Sequence, residues 1–287
     1  VKPYLVIAVP LVIEKIYKSK VKPILEKEGV RVLMKLPVLS QMVMNKIREE
    51  LVNAFGGEFY QVIIGGAAFN KEVEAFFKKI GFPVTVGYGM TECAPIITYD
   101  DWNVEKLYSC GKAAPNLEIR IDSSDPANVP GEILVRGANV FLGYFKNDDA
   151  TGSVFTDDGW FKTGDMGVID EDGCLFIKGR TKCMILGPSG QNIYPEEVET
   201  VINSQPYVVD SLVVEDNGGL TALIYPDFAQ GAKDGMNQDV FIKFMEDTLP
   251  ELNKELPNYA KLKKIEIMSE DFERTPKKSI KRYLYQR

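Results

Sequence analysis

The chain has 287 residues, 45% of them hydrophobic and 26% charged, which is the composition of a soluble globular protein with room for two ordinary domains and a substantial core. A net charge of −7 argues against a nucleic-acid partner, and the absence of histidine excludes Ser-His-Asp and Cys-His catalysis and every imidazole zinc site. The four cysteines, Cys93, Cys110, Cys174 and Cys183, form no CxxC pair, so neither a zinc ribbon nor a redox dithiol is expected, and free thiols suit a reducing cytosol.

The apolar run Leu5–Ile13 contains Pro10 and is too short to cross a bilayer. It reads as a buried strand; a signal peptide is the weaker alternative, because no small-residue cleavage site follows. Residues 14–55 carry apolar residues at helical spacing among Lys and Glu and are predicted mostly helical. The methionines at 34–44 read as core, with lipid contact as the minor reading.

Gln61-Val62-Ile63-Ile64 is a predicted strand ending in Gly65-Gly66-Ala67-Ala68. Asn70 is placed to cap a helix whose inner face is Val73, Phe76, Phe77 and Ile80. Pro83-Val84-Thr85-Val86 is a second strand, ending at Gly87. Strand, glycine turn, helix and strand make a βαβ unit with a parallel sheet, and both glycine turns fall at the strand ends where ligands bind in such sheets.

Between about 105 and 181 the pattern alternates, over Glu118–Ile121, Gly131–Arg136, Gly167–Asp170 and Leu175–Lys178, with turn residues at short intervals. This predicts antiparallel β structure closed into a small barrel, with a hairpin turn at 169–174. From 183 a glycine-rich loop leads to a helix from Pro195 to about Asn203, strands at Ser211–Val214 and Gly219–Ile224, and one helix over about 238–254.

Three motifs carry candidate chemistry. In Gly87-Tyr88-Gly89-Met90-Thr91-Glu92 the glycines allow close backbone approach, Thr91 can donate to a phosphate oxygen, and Glu92 can hold Mg²⁺ beside it. Tyr88 offers a flat face to a base. A glycine turn with a capping Thr-Glu pair explains the same residues equally well. Asp165 in Phe161-Lys162-Thr163-Gly164-Asp165 could accept both ribose hydroxyls, or be an ordinary Asp turn. Arg180 could reach the same ribose or a phosphate, or be a solvated arginine at a domain edge.

In this order and spacing the motifs resemble the adenylate-forming superfamily, over Gly65 through Arg282. Pro10 through Tyr17 and Gly65-Gly66-Ala67-Ala68-Phe69-Asn70 are most similar to its long-chain fatty acyl-CoA synthetase branch. The resemblance implies a mixed α/β and α+β multidomain fold. Residues 1–104 would be the end of the large α/β adenylation subdomain, 105–181 the β-barrel subdomain, and 182–287 a mobile α+β lid. It also implies roles. Gly65, Gly66 and Ala67 would line the adenine and acyl carbonyl region, and Tyr88 would stack on adenine. Gly89 and Met90 would flank the acyl chain and phosphate, Thr91 would bind the α-phosphate, and Glu92 the Mg²⁺. Asp165 and Arg180 would bind ribose with Ile177 packed nearby, and Lys182 would be the hinge. The loop at 187–190 and Gln191-Asn192-Ile193 would help form a thiol tunnel.

The implied activity is ATP- and Mg²⁺-dependent activation of a fatty acid, then transfer to coenzyme A, in a cytoplasmic protein with peripheral contact at the inner membrane face. Oligomeric state is open. Two departures stand out. Residues 1–60 lack the family's phosphate loop, so the chain is expected to be an N-terminally truncated piece that does not turn over alone. In Thr275-Pro276-Lys277-Lys278-Ser279-Ile280-Lys281-Arg282, Ser279 stands where the family places its catalytic lysine. Lys278 is then the candidate catalytic lysine, or part of a solvated basic tail. Two alternatives follow: a fatty acyl-AMP ligase serving a carrier protein, disfavoured by the lack of an insertion at 105–180, and a non-catalytic acyl-adenylate-binding member.

Overall fold

A computed structural model describes residues 2–187, 190–275 and 279–287. Lys278 therefore lies outside the described residues. The chain divides into two compact units. One comprises Val1–Thr163 and Gly167–Ile177, the other Gly164–Met166 and Lys178–Arg287.

The first unit is built on three parallel strands, β1 (Leu5–Ala8), β2 (Gln61–Ile64) and β3 (Val84–Val86), in the order β1-β2-β3. The predicted buried strand over Leu5–Ile13 is shorter and less buried. Pro10 fits the first position of helix α1 (Pro10–Ile16), so β1 ends at Ala8, and its outward Ile7 is 78% exposed. A π-helical turn (Tyr17–Val21), α2 (Lys22–Leu25) and α3 (Glu28–Leu33) follow. Helix α4 (Pro37–Ala54) buries Met44, Ile47 and Leu51, one stripe at three- and four-residue spacing. The methionine cluster is thus only partly core: Met44 is 4% exposed and Met42 63%.

Helix α5 (Lys71–Lys79) forms as predicted. The Asn70 side chain accepts a hydrogen bond from the Val73 amide at 3.1 Å, and Val73, Phe76, Phe77 and Ile80 are buried. Phe77 packs on Phe82 with ring centroids 5.1 Å apart, closing the helix onto the sheet.

After β3 come a two-stranded ribbon of β4 (Tyr88–Gly89) and β5 (Ile96–Thr98), then β6 (Leu117–Asp122), β7 (Gly131–Gly137), helix α6 (Asp148–Ser153), β8 (Phe161–Ile169) and β9 (Leu175–Arg180). The predicted barrel is an open sheet of order β6-β7-β8-β9. Its end strands do not meet. At Leu175, β9 takes its backbone partners from Gly111 (2.9 Å) and Cys110 (2.8 Å), so a loop occupies the place that closure would give to β6. The Asp170–Cys174 hairpin forms as expected, with Asp170 N–H donating to Cys174 O at 3.1 Å.

The second unit has a small ribbon of β10 (Ile185–Leu186) and β11 (Asn192–Ile193), helix α7 (Pro195–Asn203), and a sheet of β12 (Val208–Asp216), β13 (Gly219–Pro226) and β14 (Leu262–Ile267). Pro195 occupies the first turn of α7, and Val198 and Ile202 are buried. Helix α8 (Phe228–Lys233) precedes the region predicted as one helix. That region is two helices, α9 (Gln238–Glu246) and α10 (Leu249–Glu255), because Pro250 belongs in a first turn and not in a helix interior. The core of this unit is Ile202, Leu212, Ala222, Ile224, Phe241, Met245 and Leu252 with their neighbours.

Candidate functional site

Both glycine turns lie at the carboxyl edge of the parallel sheet. Gly65 N–H donates to Ala8 O at 3.2 Å and Gly87 N–H to Ile64 O at 2.8 Å, so the chains leave β2 and β3 side by side. A Cβ on Gly65 would sit 3.3 Å from Gly87 O. Gly66 has φ +88°, the left-handed region that glycine adopts freely, and Gly66 and Ala67 are exposed. These two turns lie together at one edge, the place where open α/β sheets take their ligands.

The β4–β5 ribbon carries the loop outward. Tyr88 is only 9% exposed and packs in the core of the unit. Gly89 is pressed against the Pro95 carbonyl, so closely that a Cβ there would overlap it. Met90 N–H donates to Pro95 O at 2.8 Å, and Thr91–Cys93 make a single 3-10 turn closed by left-handed Ala94 (φ 53°). The turn leaves Thr91 exposed and Glu92 half-buried.

Glu92 is held by residues that the sequence did not single out. Its carboxylate accepts a hydrogen bond from the Tyr144 hydroxyl at 3.1 Å, and its carbonyl accepts from Phe141 N–H at 2.8 Å. Asn139 Nδ2 donates to Cys93 O (2.6 Å) and Ile96 O (3.0 Å), pinning the turn from below. Burial, and then the adjacent Glu92 carboxylate, raise the Tyr144 phenol above its ordinary range. The only trace of this support in the sequence is the aromatic, glycine-bearing stretch Asn139–Phe145.

Asp165 and Arg180 are brought together in the second unit. The Asp165 carboxylate is 3.2 Å from Arg180 Nε; its side chain is 13% exposed and that of Arg180 71%. The expected Asp turn is not a turn: Thr163-Gly164-Asp165 lies inside β8, where Gly164 at φ +75° bends the strand. Ile177 stands on β9 and is 38% exposed. Lys182 is exposed in a 3-10 turn at Thr181–Cys183. Ser279 is also exposed, and its carbonyl accepts from Thr275 N–H at 2.8 Å.

Among the described residues no group of three or more Cys, Asp or Glu side chains could hold a metal ion. Glu92 alone fits Mg²⁺ shared with a phosphate, because Mg²⁺ ordinarily takes one or two carboxylates and completes its shell with phosphate oxygens and water. The four cysteines are free, and Cys93, Cys110 and Cys174 are buried. No helix among the described residues is long and apolar enough to cross a membrane.

The chain belongs to the AMP-binding enzymes: the AMP-binding enzyme family matches residues 8–145 and the AMP-binding enzyme C-terminal domain matches residues 184–287. It is 33% identical over 239 residues to the long-chain-fatty-acid–CoA ligase FadD15 of Mycobacterium bovis, covering 75% of this chain and 38% of that protein. With the 2-succinylbenzoate–CoA ligase of Bacillus cytotoxicus it shares 39% identity over 183 residues, 60% of this chain and 37% of that protein. Among solved structures, ATP-bound MatB from Rhodopseudomonas palustris aligns with a TM-score of 0.71 at 27% identity, over 99% of this chain and 50% of that one. The O-succinylbenzoate coenzyme A synthetase of Bacillus subtilis, in complex with ATP and magnesium ion, aligns with a TM-score of 0.73 at 25% identity, over 98% and 51%. The mixed α/β fold is theirs, and the chain spans about 38% of the length of the curated relatives it matches.

Proposed function

We propose that the complete protein activates a long-chain fatty acid as its acyl adenylate and passes the acyl group to the thiol of coenzyme A. The fatty acid carboxylate attacks the α-phosphorus of ATP and pyrophosphate leaves. The thiol then attacks the acyl carbonyl and AMP leaves. The observation that carries this reading is the Thr91–Glu92 turn at the carboxyl edge of the parallel sheet, held by Tyr144 and Asn139.

In this reading Gly65, Gly66, Ala67, Gly89 and Met90 line the nucleotide and acyl carbonyl path. Thr91 donates to the α-phosphate, and Mg²⁺ on Glu92 neutralises phosphate charge. The buried rim of Tyr88 bounds the adenine side. Asp165 accepts the ribose hydroxyls, oriented by Arg180, and Ile177 packs beside the sugar. Lys278 carries the role of the family lysine. Residues 1–104, 105–181 and 182–287 act as large-domain segment, β subdomain and lid, with Lys182 as the hinge. FadD15, matched over three quarters of this chain, supports a long-chain acid. The higher identity of the 2-succinylbenzoate ligases over a shorter stretch makes that aromatic acid the second reading. The protein is cytoplasmic, with peripheral contact at the inner membrane face.

The test is to incubate the complete protein with ATP, Mg²⁺ and either palmitate or 2-succinylbenzoate, with and without coenzyme A, and to read products by mass spectrometry. Palmitoyl-CoA is expected. Palmitoyl-AMP alone would transfer the reading to a carrier-protein acceptor, and succinylbenzoyl-CoA alone to the second acid. No acyl adenylate from either acid would leave a binding protein.

A further inference from the structure

Behind the loop, on the side away from β2, two buried carboxylates take no part in the proposed chemistry. Glu105 and Glu74 are each only 5% exposed. β3 is the last strand of its sheet. Its Gly87 N–H bonds to β2, so the N–H of Val86 points to the free edge, where a further strand would pair. The Glu105 carboxylate accepts that N–H.

The segment bearing Glu105 is fastened along this edge. The Thr85 hydroxyl donates to Asp100 O at 2.8 Å. From α5, Lys78 Nζ donates to Glu105 O at 2.7 Å and to Trp102 O at 3.0 Å, and the Glu74 carboxylate accepts Tyr108 N–H at 2.5 Å. Residues 100–108 thus substitute for a strand beside β3, and Glu105 provides the backbone-like acceptor at its last residue. Gly87 opens the loop one residue later. Gly89 is wedged against Pro95, so a shift at Val86 has no slack to absorb it before Thr91.

We propose that Glu105 is a positioning residue for the Gly87–Glu92 loop: its buried carboxylate fixes the end of β3 and thereby the placement of Thr91 and Glu92 for the nucleotide. The inference rests on the proposed acid-activating function for its kinetic consequence, but its structural content is separate.

Three variants of the complete protein test it. Glu105→Ala removes the acceptor, Glu105→Gln keeps a carbonyl acceptor of the same reach, and Val73→Ala weakens the same core without touching the loop. Glu105→Ala is expected to raise KM for ATP about tenfold, the cost of about 1.4 kcal/mol of binding, with KM for fatty acid and coenzyme A within twofold. It should also speed amide hydrogen exchange across residues 87–92. Glu105→Gln should restore both to within twofold of the parent, and Val73→Ala should lower Tm and change neither. An unchanged KM for ATP in Glu105→Ala, or an equal rise in Val73→Ala, overturns the proposal. If the parent protein forms no acyl adenylate, the functional reading fails by itself and exchange at 87–92 decides the inference: faster exchange in Glu105→Ala alone upholds it, unchanged exchange ends it.

Discussion

Individual charged residues in this chain do different work according to burial. The Asp165–Arg180 pair is largely solvated on the arginine side, so it adds little to stability. Glu74 is the opposite case. Burial pushes its carboxyl up from 4.5 to about 7, against the opposing pull of the Tyr108 N–H bond and of Lys71 and Lys78. Burial raises Glu105 to about 7 as well, with neighbouring Glu74 adding to the effect. A carboxyl raised in the folded state binds its proton more tightly there than in the unfolded chain. Its contribution to stability is therefore full below the unfolded value near 4.5 and is lost as pH rises through about 7. Glu74→Gln keeps an oxygen acceptor for Tyr108 and removes the titration. Relative to the parent it should become progressively more stable between pH 5 and pH 8, by a change on the order of 3 kcal/mol at most. Urea denaturation of both proteins across that range measures it, and a stability difference that does not vary with pH would refute the assignment.

At the level of elements, the β4–β5 ribbon is the least forgiving part of the candidate site. Gly89 is there because no side chain fits against Pro95, whatever its polarity. Gly89→Ala is expected to abolish acyl-adenylate formation in the complete protein and to lower its stability by about 1–3 kcal/mol, the usual cost of overpacking. Adenylate yield and Tm of that one variant check both, and wild-type yield would show that the ribbon yields freely. The need for glycine was visible in the sequence as a motif, but the contact that demands it was not.

The same division holds across the fold. The βαβ unit, the Asn70 cap and helix α7 from Pro195 were legible, because each is set by local chemistry: a capping side chain, a proline in a first turn, a stripe of apolar residues. Sheet closure was not legible, since alternation marks a strand but not its partner, and β9 pairs with a loop at Cys110–Gly111. Strand β14 was missed because Leu262–Ile267 carries two consecutive lysines that hide its period. Gly164 beside Asp165 is a turn signal in the sequence; in the structure that glycine bends a strand. Thr91, Glu92, Asp165 and Arg180 are candidates that the motifs single out. Tyr144 and Asn139, which hold Glu92 and its turn, come from about 50 residues away, and nothing in the Asn139–Phe145 stretch says which loop it supports.

Over the whole molecule, charge is unevenly spread. Residues 1–46 hold nine basic and three acidic residues, whereas the chain as a whole has net charge −7. In the same region α3, α4 and the turn between them expose Val32 (61%), Leu36 (51%), Val38 (75%) and Met42 (63%), with exposed Arg31 and Lys35 among them. Basic residues beside exposed apolar ones suit an anionic bilayer, where each lysine or arginine near the surface contributes about 1 kcal/mol and apolar side chains enter the interface. This pairing is what motivates the peripheral membrane contact proposed above, and no single amphipathic helix announces it because the residues are shared between two helices and their turn. The complete protein should therefore sediment with phosphatidylglycerol-containing vesicles at low salt, much less with phosphatidylcholine vesicles, and be released as salt is raised. Arg31→Glu with Lys35→Glu should cost at least tenfold in vesicle affinity, and Leu36→Asp with Val38→Asp a similar factor. Neither pair should alter the Tm of this 287-residue chain appreciably, since all four side chains are exposed in it. If the complete protein stays in the supernatant with anionic vesicles at low salt, this face is covered by the rest of the protein or meets another partner. The basic charge of residues 1–46 would then have to be explained within the protein itself.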